Sequence, residues 1–363
     1  MLARVEDIRA LCALPRPTNG GGLGTDPSST EVKRSELLPS LLGTISVLSN
    51  LLAHCEEAKL ACVSLQLPLL LLRLWPLGQS RNPTRGSEDE GRLTPPKEGT
   101  GAGAVRQQLL ALLANYVAHC AAAKCSLAAY SDAKGRSLVA LLAHSVSRTP
   151  RPTQTPPPLA QWNLSWAVLQ SVATAPEGRA VLLRAQLAPK AAAALRRLVG
   201  GKGSDDARAA AVADFLANLA FEPDGAEAVV RAPEAFDTLV FALRCRHAGC
   251  RRAAALALRN LAFCADGKAA LLAKKEALPA LFGAIAADDA ALAARAAGAV
   301  WALLAKCERA KVALRSSALL QQLHEAEMTL AARTVLRDAA EAPHVAQALS
   351  AVDAIYSLLG ADR

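Results

Sequence analysis

Two groupings in this 363-residue chain carry metal-ligating side chains at close spacing: His119-Cys120 with Cys125, and Cys245 with His247 and Cys250. A closed zinc site asks for four nitrogen or sulfur ligands, usually on tight Cys-x-x-Cys knuckles, and each grouping offers three. Cys120 and Cys125 stand five apart, which sends them to different sides of a helix. Core thiols and a surface imidazole are the expectation, with no metal and no cofactor. Gly200-Gly201-Lys202-Gly203-Ser204 has the composition of a phosphate loop but lacks its spacing and a preceding strand, so a flexible turn is expected. His324-Glu325-Ala326-Glu327-Met328 places Met where a zinc protease needs its second histidine. No nucleophile elbow or paired-carboxylate constellation appears, and the chain is read as a non-enzyme.

Cations give a second kind of chemistry. Arg244, Arg246, Arg251, Arg252 and Arg259 cluster around His247, so several guanidiniums can reach one surface and meet an acidic protein segment. A solvated face that keeps an Ala-rich chain soluble is the simpler reading. Nucleic acid is disfavoured as a partner, because no aromatic platform for base stacking accompanies the arginines.

These residues sit in a repeating framework. Leu48-Ser49-Asn50-Leu51-Leu52, Leu113-Ala114-Asn115-Tyr116-Val117, Leu216-Ala217-Asn218-Leu219-Ala220 and Leu258-Arg259-Asn260-Leu261-Ala262 each set an Asn inside an apolar helical stripe. Lys59, Lys124, Glu227 or Lys268 follows some nine residues later and opens a second apolar run. Val168-Leu169-Gln170-Ser171-Val172 is a degenerate copy, and Ala305-Lys306-Cys307-Glu308-Arg309-Ala310-Lys311 repeats Ala53 to Lys59. Asn218 and Asn260 are 42 residues apart, and Ala302 lies another 42 beyond. Self-similarity at that period predicts stacked helical units, none able to bury its own apolar face alone.

Composition agrees. Hydrophobic residues supply 52% of the chain and aromatics 4%, so Ala and Leu build the interior and close helix packing suits them. The net charge of +9 allows acidic partners without selecting one. Nine scattered cysteines, several expected inside helices (Cys55, Cys62, Cys120, Cys264, Cys307), suit reduced buried thiols. The apolar run Leu60 to Leu72 is too short to cross a bilayer, and no membrane insertion is expected.

The organisation read from these signals is an opening amphipathic helix over 1–14, a Pro/Gly linker over 15–34 and a repeat over 35–77. A disordered insertion follows over 78–104, a repeat over 105–147, a Pro-rich loop over 148–160 and further repeats over 161–359. Pro68, Pro189, Pro233 and Pro279 mark second-helix starts, and Asp288 or Asp289 is placed to cap a third helix.

Ala277-Leu278-Pro279-Ala280-Leu281-Phe282 together with Ala257-Leu258-Arg259-Asn260-Leu261 resembles the armadillo repeat of catenins and importins, over most of the chain from Leu37 to Leu359. The resemblance implies an all-α, right-handed armadillo/HEAT-like solenoid of about six repeats and a role in binding other proteins. In that family the equivalent Asn lines a concave groove and holds an extended peptide, which would make Asn50, Asn115, Asn218 and Asn260 partner-binding residues. The favoured reading is instead that each amide bonds a backbone carbonyl between layers. Importin-type grooves pair each Asn with a Trp one turn earlier, where Ser46, Ala111, Asp214 and Leu256 stand here. A narrower similarity covers Ala255 to Lys268, Ala299 to Leu304, Lys311 to Ser316 and Glu177 to Leu183. It points to the carboxy-terminal end of a long armadillo-type component of centrioles and ciliary basal bodies. That similarity implies centriolar or ciliary protein partners, and a place in the cytoplasm, on the cytoskeleton, at centrosome and basal body. Trp162, Trp166 and Trp301 are expected to pack between layers.

Overall fold

A computed structural model describes residues 27–78, 101–133, 135–147, 158–200, 206–334 and 341–360, with the side chains of 27–37, 206, 317, 333 and 334 left aside. Among the described residues the chain forms nineteen α-helices, one 3-10 turn and no strand. It divides into two compact units, 1–185 and 186–363.

The first unit contains α1 (Pro27–His54), α2 (Glu56–Ser64), α3 (Leu67–Leu74), the 3-10 turn Trp75–Gly78, α4 (Gly101–Val117), α5 (Ala121–Ala129), α6 (Leu138–Ser147), α7 (Leu159–Ala173) and α8 (Pro176–Arg184). Long α1, α4 and α7 pack in succession, as do short α2, α5 and α8, while α3 meets α6. Each Leu/Ala face is therefore covered by the equivalent face of the next layer, which is why Leu48, Leu113 and Leu169 are all buried.

The second unit contains α9 (Leu187–Gly200), α10 (Asp206–Leu219), α11 (Pro223–Arg231), α12 (Ala235–Ala242), α13 (Ala248–Leu261), α14 (Ala265–Ala273), α15 (Ala277–Ile285), α16 (Ala290–Leu304), α17 (Glu308–Leu314), α18 (Ser317–Thr334) and α19 (Ala342–Leu359). Its long helices α10, α13, α16 and α19 stack one on the next. Small side chains permit this: Ala253, Ala254, Ala257, Ala293, Ala296, Ala297 and Ala299 are all buried between them. Asp289 caps α16, its Oδ1 accepting the Leu292 N–H at 3.0 Å.

Several boundaries differ from those read in the sequence. Helix α1 starts at Pro27, inside the stretch read as linker, and α4 starts at Gly101, inside the stretch read as insertion. The opening helix over 1–14, most of that insertion (79–100) and residues 148–157 of the Pro-rich loop lie outside the described residues. The cysteine placement needs correction. Cys55, Cys120, Cys264 and Cys307 sit at the N-caps of the short first helices rather than inside them, and only Cys120 of the four is buried. Cys55 and Cys264 Sγ accept the Ala58 and Gly267 N–H groups at 3.4 and 3.3 Å, the cap work usually done by Ser or Asp. The Leu60 to Leu72 run is split between α2 and α3, bent by 76°. No single described helix is long and apolar enough to cross a membrane.

Candidate interaction surface

The recurring Asn and Lys both reach across layers. Asn115 Nδ2 donates to both the carbonyl and the hydroxyl of Ser49, at 3.0 Å each. Asn260, buried, donates to the Ala217 carbonyl at 3.0 Å. Ser49 and Ala217 are the residues just before Asn50 and Asn218, so the same bond ties the same positions of adjacent layers. Asn50 is exposed and Asn218 half-buried; each is the first of the recurring Asn in its unit, and neither side chain makes a hydrogen bond among the described residues.

The cations point the other way along each unit. Lys59 Nζ donates to the Ala118 carbonyl at 2.5 Å, and Lys268 Nζ to the Ala305 carbonyl. Both acceptors lie just past the C-terminus of the next third helix, where unpaired carbonyls and the helix dipole attract a positive charge. His119 and Lys306 follow them with φ of 55°, turning the chain into the next short helix. Lys124 reaches the Thr174 hydroxyl at 2.8 Å, and Arg315 Nε the Leu359 carbonyl at 3.0 Å. Glu227 breaks the series and pairs with Arg231 on its own helix.

The arginine cluster separates into different roles. Arg251 donates to the carbonyls of Cys245 and Arg246, 3.2 Å from each, and fastens the loop ahead of α13. Arg252 Nε holds both oxygens of Asp289 at 2.9 and 2.7 Å. Arg244 and Arg246 are exposed in the loop. Arg259 turns towards α16, and its Cδ stands 3.2 Å from the point a Cβ on Gly298 would occupy. Beside it is Arg295, which the sequence did not single out. Burial pulls its pKa down, and the charges of Arg252 and Arg259 do the same against the opposing pull of Asp214 and Asp289. Asp214 is likewise pushed up by burial, with Arg295 acting against the shift.

Exposed aromatic side chains lie at the ends of these third helices. Phe263 is 59% exposed and Trp301 37%, and their rings meet edge to face at 6.4 Å. Phe221, 42 residues before Phe263, is 72% exposed. Trp162 and Trp166 are buried as expected, 6.0 Å apart, but Trp301 is corrected to a surface position. The sequence held a signal for this: 42 residues before Trp301 stands Arg259, a residue that favours water.

The metal-ligating groupings do not assemble. Among the described residues no group of three or more His, Cys, Asp or Glu side chains is arranged to hold a metal ion. Cys125 Sγ donates to Glu177 at 3.1 Å, while His247 Nδ1 accepts the Cys250 N–H at 3.4 Å and caps α13. On α18, His324 Nδ1 lies 3.7 Å from Glu327 Oε2, and Met328 is exposed.

No family model and no curated protein matches the chain. Solved structures do. A designed armadillo repeat protein in complex with the peptide (KR)4 is similar with a TM-score of 0.54 at 15% identity, covering 75% of this chain and 98% of its own. A computationally designed armadillo repeat protein for modular peptide recognition gives 0.52 at 16%, over 74% and 98%. An engineered protein gives 0.51 at 19%, over 69% and 90%. The fold is thus all-α and armadillo-like, of the solenoid class.

Proposed function

We propose that this chain is a non-enzymatic scaffold that docks other proteins on its third-helix face and, in the manner of the carboxy-terminal end of rotatin, serves centriole or ciliary basal body assembly. The observation that carries the scaffold reading is the use of the Asn side chains. A groove that clamps a peptide main chain needs an unbroken line of free amides, and here Asn115 and Asn260 are committed to Ser49 and Ala217. What remains for a partner is side-chain chemistry on α13 and α16: Arg259, Arg295, Phe263 and Trp301. Affinity then comes from a few well-placed contacts on a rigid stack. The centriolar part rests on the similarity of Ala255 to Lys268 and Ala299 to Leu304 to rotatin.

The alternative is an adaptor of the catenin or importin kind, binding extended peptides for signalling or nuclear transport. A designed neighbour is described in complex with (KR)4, and free amides at Asn50 and Asn218 would serve such a mode. Proximity labelling with the tagged full chain in ciliated cells separates the two. Enrichment of centriolar and basal body proteins is expected; enrichment of nuclear-transport cargo in their place overturns the first reading.

A further inference from the structure

We propose that the α13–α16 face receives an acidic peptide segment, its carboxylates held between Arg259 and Arg295 and an apolar side chain resting on the Phe263–Trp301 pair. This rests on the docking reading above and gives that site its partner chemistry.

Three observations converge. First, the guanidiniums of Arg259 and Arg295 make no hydrogen bond or ion pair among the described residues, whereas their neighbour Arg252 is matched to Asp289. Second, Gly298 leaves room for the Arg259 stem as it crosses from α13 towards α16, and even a Cβ there would press on it. The two guanidiniums are therefore kept in each other's field on a half-buried surface, with Asp214 the carboxylate left to offset them. Like charges so placed repel, and an incoming carboxylate converts that repulsion into paired, charge-assisted hydrogen bonds. Third, the exposed aromatic pair comes from the same two helices, Phe263 just past the end of α13 and Trp301 in the last turn of α16, and adds the residue type that dominates binding energy in protein interfaces.

A basic peptide would meet like charge at both arginines. Nucleic acid fits less well than an acidic peptide, because two arginines do not make the long cationic track that strand binding uses.

The test is fluorescence anisotropy on the full chain with short labelled peptides. One carries two adjacent Glu with a Phe three residues on, the second has Gln in place of both Glu, the third is (KR)4, and a uridine oligonucleotide is the fourth probe. The acidic peptide should bind, weaken steeply as salt rises, and lose about tenfold or more with the Arg259→Gln/Arg295→Gln double variant. Phe263→Ala should weaken it severalfold with no change in salt slope. Circular dichroism on each variant checks that the helices are intact. No binding of the acidic peptide, equal binding of the Gln peptide, tighter binding of RNA, or indifference to the double variant overturns the proposal. Binding of the Gln peptide or (KR)4 that Phe263→Ala abolishes would discard the acidic class yet keep the docking reading. Failure of every probe, with an unchanged proximity-labelling profile for the double variant, removes both.

Discussion

The side-chain amide of Asn260 donates to the main-chain carbonyl of Ala217, the residue before the preceding layer's Asn, and Asn115 treats Ser49 the same way. One bond, repeated in register, accounts for a residue type that is poor in helix interiors. Asn260→Ala should therefore destabilise the chain by about 1–2 kcal/mol in urea unfolding, since a buried bond is lost. Asn50→Ala, at an exposed position without such a bond, should stay within about 0.5 kcal/mol of the parent. Equal and negligible effects at the two sites would show that the amides do not hold the layers.

Lys268 and Lys59 act as remote caps, each closing the end of the next layer's third helix. Lys268→Met keeps the aliphatic stem and removes the donor and charge. A loss of about 1 kcal/mol is expected, with faster amide hydrogen exchange confined to the last turn of α16. Exchange that speeds evenly across the unit would argue for general loosening.

Glycines at one position of the short helices bring two backbones together. A Cβ on Gly267 would stand 2.0 Å from the Leu261 carbonyl oxygen, and one on Gly225 would stand 1.9 Å from that of Leu219. Backbone cannot yield as a side chain does, so Gly267→Ala should cost about 3 kcal/mol or more. Gly283→Ala, on an exposed position of α15 with nothing within 4 Å, should gain up to about 1 kcal/mol from helix propensity. Opposite signs for the same substitution, read by thermal unfolding, are the discriminating outcome.

The architecture was legible because helix stacking writes itself into sequence as a period: Asn218, Asn260 and Ala302 recur, and prolines fall where the second helices begin. For Asn115 and Asn260 the interlayer bond was legible too, from the missing Trp partners at Ala111 and Leu256, whereas Asn50 and Asn218 make no such bond. Less visible was the capping by Cys55 and Cys264, since sulfur is a weak acceptor and Cys reads first as a core residue. Arg295 was hidden for a different reason. Its counterpart one period earlier, Ala253, is buried, so the repeat carries no hint that this position faces Arg259 and Asp214. A surface formed by differences between repeats cannot be read from what they share.

Arg106 on α4 supplies a prediction with a pH signature. It is buried, with its guanidinium 3.8 Å above the Trp75 ring. Burial lowers its pKa from the ordinary arginine range to about 9. Below pH 9 the guanidinium is charged in both the folded and unfolded chain, so the full cost of taking that charge out of water falls on the folded state. Above about pH 9 the unfolded chain binds the proton more tightly, and folding stability from this group rises with pH. Stacking on Trp75 offsets part of the cost, yet the direction of the shift says that desolvation is the larger effect. Arg106→Met should accordingly raise stability by about 1–3 kcal/mol at pH 7. That gain should shrink as the pH climbs towards 11, measured as the difference between parent and variant urea midpoints. A variant less stable at pH 7, or a gain independent of pH, would show that the stacked cation stabilises α4.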